Sequence, residues 1–264
     1  MKNLISIILI AAIFVSCSDD GEKIIPTEIP VLPVESTFSM DFSINDANSG
    51  GRTAAKGIGN WARSTVIVTV WSALAGIYTA VPVASFKEAF NHEPTFDVSI
   101  RGWVWEYDFT LHANYHARLE SEITASGVNW KMYISQEDSF QDFNWYSGFS
   151  DISGTSGTWT LNTNPQDPKP ALEIIWNRNE DGTTKDLTYT NVIPDDVNNG
   201  GFIKFETSTE TDYNRYYNIF QKKEDNTITI EWHKENHNGR VKDPAHYQDQ
   251  NFHCWDESLT DKEC

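Results

Sequence analysis

WVWEYDFTLHANYHARLESEITASGVNWKMYI, residues 103–134, places its apolar side chains on every second position. Trp103, Trp105, Tyr107, Phe109, Leu111, Ala113, Tyr115, Ala117, Leu119, Ile123 and Ala125 share one parity, and Val128, Trp130, Met132 and Ile134 hold the other. A period of two is the mark of strands that bury one face. The change of parity predicts a two-residue hairpin loop at Ser126-Gly127, which makes Ala125 and Val128 neighbours on one face. The first run is too long for one ordinary strand. It is either one long coiled strand or two strands joined by a loop with an odd residue count. Just upstream, Phe96, Val98 and Ile100 carry the opposite parity, and the slip at Gly102 marks a β-bulge or a tight bend.

The same period continues downstream. Strands are predicted at Phe143–Phe149, Thr158–Asn162, Leu172–Arg178, Leu187–Val192, Phe202–Thr207, Tyr213–Lys222 and Thr227–Lys234. Turn-rich pieces separate them, among them Ser153-Gly154-Thr155-Ser156-Gly157 and Asn179-Glu180-Asp181-Gly182. Nine or ten consecutive strands with short loops predict a mainly β fold with one or two N-terminal helices. The strands form an antiparallel meander, closed into a barrel or half-barrel against a buried helix.

That helix is read between Arg63 and Lys87, where no charged residue occurs. Its length makes a membrane span conceivable, but Ser64, Thr65, Thr69, Ser72, Gly76, Thr79 and Pro82 dilute the run. The reading adopted is a helix capped by Asn60 and buried on most sides, ending before Pro82 and followed by a short second helix over Val83–Phe90. Val66, Val70, Leu74 and Ile77 have no charged neighbours and are expected between the helix and the one-sided sheet. Ser18 to Ser49 carries Pro26, Pro30 and Pro33 and reads as an extended tether that adds little to the core. Within it, the alternation Phe38, Met40, Phe42, Ile44 allows a first strand. The organisation is therefore a leader over 1–16, a tether over 17–49, a helical segment over 50–92, a β-domain over 93–243 and a C-terminal tail over 244–264.

The leader is read from Lys2, the apolar run Leu4–Val15 and the small residue Ser16 before Cys17, the pattern of a cleaved secretory signal. Phe14-Val15-Ser16-Cys17 resembles the lipobox of bacterial lipoproteins, and Ser18-Asp19-Asp20 looks like the surface-export signal of lipoproteins from Bacteroidota. The resemblance implies that Cys17 is diacylated and becomes the new N-terminus. It implies an outer-membrane, surface-exposed address, with the lipid bilayer as partner through that one residue. Lipidation of Cys17 leaves Cys254 and Cys264 as an even pair, which an oxidising compartment converts into a disulfide.

Composition narrows the function. A net charge of −18 argues against nucleic acid and against electrostatic docking on anionic headgroups. Gly57-Ile-Gly59-Asn-Trp-Ala62 matches a dinucleotide loop in letters only, since no strand precedes it and no acidic residue follows at about twenty positions. His112 and His116, read on one strand, would stand about 13 Å apart, too far to share an ion. His233, His237, His246 and His253 are spaced like no known metal site and read as exposed histidines near a disulfide. Asp195-Asp196-Val-Asn198-Asn199-Gly200 reads as a plain turn. No catalytic constellation and no cofactor are expected.

What remains are the aromatic residues Trp103, Trp105, Tyr107, Trp130, Trp159, Trp176 and Trp232, most of them on the apolar parity. Their first reading is core. As a binding site they would line a gap between the curved sheet and the helix that holds an apolar or amphipathic ligand. The alternative is a surface row that stacks on glycans or adheres to a protein.

Overall fold

The computed structural model describes residues 28–44, 59–179 and 181–264. The expected leader, Cys17, the first and last parts of the expected tether, Gly57 and the turn residue Glu180 lie outside the described residues.

The strands are β1 (Thr95–Asp97), β2 (Gly102–Thr110), β3 (Asn114–Ile123), β4 (Val128–Gln136), β5 (Phe140–Ser150), β6 (Ser156–Asn162) and β7 (Pro170–Arg178). They continue as β8 (Thr184–Asn191), β9 (Phe202–Thr207), β10 (Arg215–Gln221), β11 (Asn226–Trp232), β12 (Gly239–Lys242), β13 (His253–Trp255) and β14 (Asp261–Lys262). All fourteen form one antiparallel sheet in strict chain order, and it does not close, so the fold is a half-barrel. One long helix, α1 (Asn60–Ala89), packs on the sheet's inner face, and a single turn, α2 (Pro244–Tyr247), joins β12 to β13. β12 follows the last expected strand within the β-domain, and β13 and β14 extend the meander into the expected tail. Strands of four, three and two residues are too short to show a period of two.

The long odd-parity run is two strands. Thr110 pairs with Asn114 across the three-residue loop Leu111-His112-Ala113, the odd count that unchanged parity requires. The next hairpin lies one residue earlier than Ser126-Gly127. Ile123 pairs with Val128 and Thr124 N–H donates to Gly127 O at 2.8 Å, which leaves Ala125-Ser126 as the loop. Gly127 closes the loop opposite Thr124, and a Cβ there would sit 2.2 Å from Ser150 O of β5, so only glycine fits. At the start of the sheet the slip is a tight bend. Val98–Arg101 form a turn, Arg101 takes φ 55°, and a Cβ on Gly102 would meet Ser121 O at 1.9 Å. Val98 and Ile100 are therefore turn residues rather than strand residues.

Helix α1 departs from expectation in three ways. First, Gly59 is its N-cap and Asn60 its first residue. The capping carboxylate comes from 201 residues further on: Asn60 N–H donates to Asp261 Oδ1 of β14 at 2.8 Å. The Asn60 amide also donates to Cys254 O and accepts from the Tyr247 hydroxyl. One turn on, Arg63 donates twice to Asp243 Oδ2 (2.6 and 2.9 Å), while Asn226 donates to Oδ1 of that fully buried carboxylate. Second, the helix does not stop before Pro82 but runs through it to Ala89. Proline removes one helical hydrogen bond, but Val81, Pro82, Ser85 and Phe86 are all buried, and packing outweighs local propensity.

Third, α1 is not buried on most sides, and the side that faces the sheet is not the expected one. Ser64, Ile67, Val68, Ala75, Thr79, Pro82 and Phe86 are buried, whereas Val66, Val70, Leu74 and Ile77 are 58, 55, 38 and 72% exposed. The helix is apolar around its whole circumference, so its pattern names no face. The buried hydroxyls need no outside partner, since Ser64, Thr79 and Ser85 donate back to Asn60, Ala75 and Pro82 carbonyls. By length and composition α1 is also apolar enough to cross a membrane.

The expected tether is packed over its described part. A 3-10 turn at Glu35–Phe38 replaces the proposed first strand, and Thr37, Phe38, Met40 and Ile44 are buried in the core. Phe38 stacks on Trp159 at 4.8 Å and meets Phe86 and Tyr146 at 5.2 Å. Tyr189 fastens the segment from the sheet, donating to Phe38 O and accepting from Met40 N–H.

Candidate functional site

Trp105, Trp130, Trp159, Trp176 and Trp232 are each at most 2% exposed, and Tyr107 is buried with its hydroxyl donating to Ser85 O of α1. They fill the half-barrel rather than line an opening. Trp105 packs on Trp130 at 5.9 Å and Trp159 on Trp176 at 6.4 Å, while Trp130 Nε1 donates to Ser150 and Trp159 Nε1 to Thr37. Trp103 is half-buried against Phe96 near the edge of the sheet. Burial raises the Tyr107 and Tyr189 phenols, so both are neutral donors.

A cleft opens instead where the sheet stops covering α1. Between Val68 and Thr79 only Ala75 is buried, so this stretch of the helix is left largely uncovered. Val70, Trp71, Leu74 and Tyr78 form one wall. Leu172 at the start of β7, Ile193 beyond β8 and Phe220 near the end of β10 form the other. The cavity is about 280 Å³. Its rim is polar, with Asn191, Asp196, Asn198, Gln221, Lys222 and Glu224. An apolar floor with a few polar groups at the mouth is the usual make-up of a small-molecule site.

These residues escaped the strand-based reading because the core tryptophans dominated the composition. One signal was available. Trp71, Leu74 and Tyr78 stand at i, i+3 and i+7, which puts two of the three aromatics of the uncharged run on one helical face.

The histidines do not converge. His112 sits in the β2–β3 loop, bonded to the Tyr115 hydroxyl at 2.6 Å, and not on the strand where His116 lies. His116 stands between Asp108 and Glu106 (2.9 and 3.1 Å), and the Asp108 hydrogen bond raises its pKa, with Glu106 adding to the effect. It overlooks an open acidic groove with Glu88 and Glu137. In the C-terminal segment His233 pairs with Glu235, His253 with Asp249, and His246 packs on Tyr247, while His237 N–H bonds to His233 O in a turn. Burial pushes the Tyr247 phenol up to about 12, helped by Asp261 and Asp243. Among the described residues no three His, Cys, Asp or Glu side chains are placed to hold a metal ion. Cys254 and Cys264 stand at disulfide distance, with Cα atoms 5.1 Å apart.

Comparison of the chain with family models, with curated proteins and with solved structures finds no match.

Proposed function

We propose that the chain is a non-enzymatic lipoprotein, held to the outer membrane through Cys17, that binds an apolar or amphipathic ligand between α1 and the sheet. The observation that carries the reading is the cleft walled by Trp71, Leu74, Tyr78 and Phe220. It has the position expected of a ligand gap, between helix and sheet, but its walls are not the core tryptophans. The anchor rests on Phe14-Val15-Ser16-Cys17 alone.

Leu74 gives the test, because it lies on the uncovered side of α1. Leu74→Glu is expected to melt within a few degrees of the parent and to weaken binding of a fluorescent twelve-carbon fatty acid at least tenfold, about 1.4 kcal/mol. Unchanged affinity in a folded variant would place the ligand elsewhere.

One observation favours the second reading, glycan binding. Phe140, Phe143 and Trp145 meet edge to face or tilted at 5.2–6.2 Å, and the two phenylalanines border a shallow groove with Asn144 and Asn162. Aromatic faces beside amides suit a sugar ring. An oligosaccharide that binds the parent and not Trp145→Ala, together with no acyl binding, would favour it over the cleft.

A further inference from the structure

The cleft's rim carries information about the ligand's head. Lys222 and Glu224 are two residues apart on the tip of the β10–β11 hairpin, both exposed. Among the described residues neither takes part in an ion pair, whereas on the neighbouring strands Lys204 pairs with Glu206 and Arg240 with Glu231. The Lys222 ammonium lies 5.9 Å from the ring of Phe220, so the charge sits beside one apolar wall of the cleft. Asp196, across the rim, already accepts the Asn198 N–H at 2.6 Å and adds a fixed negative charge.

From this juxtaposition we infer that the ligand is a zwitterionic single-chain amphiphile, with its phosphate at Lys222 and its amine at Glu224. The inference rests on the cleft being the binding site proposed above. Three alternatives fit the rim less well. A fatty acid would bring a carboxylate to Lys222 but also to Glu224 and Asp196, inside a chain of net charge −18. A purely cationic amphiphile would meet the Lys222 ammonium. A two-chain lipid fits less well, because at about 280 Å³ the cavity is already just below the usual size of pockets that enclose small ligands. A phosphocholine or phosphoethanolamine head satisfies both unpaired charges at once, and one acyl chain lies along Trp71 and Leu74.

The experiment is calorimetric titration of the full chain with three twelve-carbon probes below their micelle concentrations. The probes are lauroyl-lysophosphatidylcholine, laurate and dodecyltrimethylammonium. The parent is expected to bind the lysophospholipid at least tenfold more tightly than either singly charged probe. Lys222→Glu should turn the preference toward dodecyltrimethylammonium, and Glu224→Lys toward laurate. Equal affinities on the parent, or a preference that neither variant moves, would overturn the inference. Loss of all binding in Leu74→Glu would still leave the cleft standing in that case. If no probe binds, or Leu74→Glu leaves all three unchanged, the cleft reading falls and the inference falls with it.

Discussion

At the scale of single residues, Phe38 shows how the core is completed. Its ring is closed in by Trp159, Phe86 and Tyr146, so it joins the segment before α1 to the helix and to two strands. Replacing it with alanine removes those contacts and leaves a cavity that rigid neighbours cannot refill. Phe38→Ala is expected to cost about 3–5 kcal/mol, read from the urea midpoint at constant slope. A loss below about 0.5 kcal/mol would mean that the segment lies loosely on the surface. This role was hard to read in the sequence. Pro30 and Pro33 remove any sustained period, and the four alternating apolar residues at 38–44 are held by a 3-10 turn and by Tyr189 rather than by strand pairing.

At the scale of elements, the strands were legible because each shows one apolar face to the core and one to solvent. The predicted strand Phe202–Thr207 coincides with β9, and the others differ from the observed strands by a few residues at their ends. Helix α1 was legible as a helix but not in its orientation. With apolar side chains all round, only the sheet decides that Val68 is inside and Val66 outside. Turns are a middle case, where composition gives the place and hydrogen bonds give the hold. In the β5–β6 connection, burial alone would raise the Asp151 carboxyl. The Thr155 N–H and the hydroxyls of Thr155, Ser156 and Ser153 outweigh it and bring the pKa down to about 2 from 3.8. A depressed carboxylate pKa stabilises the fold above the unfolded value, and the contribution is lost as pH falls through the folded one. A carbon-detected NMR titration of Asp151 should therefore give a midpoint near 2, with amide protection of Thr155 lost over the same range. A midpoint near 3.8 would mean the turn is not held this way.

At the scale of the whole molecule, the half-barrel is fastened at both ends of α1 and left open in the middle. The C-terminal segment grips the start of the helix through Asp261, Cys254, Tyr247 and Asp243. Tyr107 accompanies the end of it by donating to Ser85 O. In between, only Ala75 is buried and the cleft forms beside it. The sequence offered the ingredients of this site, an uncharged helix against a one-sided sheet. Its walls became visible only once the face of α1 and the reach of the β10–β11 hairpin were known. The most direct measurement is photo-crosslinking of the full chain with a diazirine-bearing lauroyl probe, mapped by mass spectrometry of the digested protein. The account predicts adducts on peptides that contain Val70–Tyr78 and Phe220–Glu224. Adducts confined to other surfaces, such as Phe140–Trp145, with none on the helix, would contradict it.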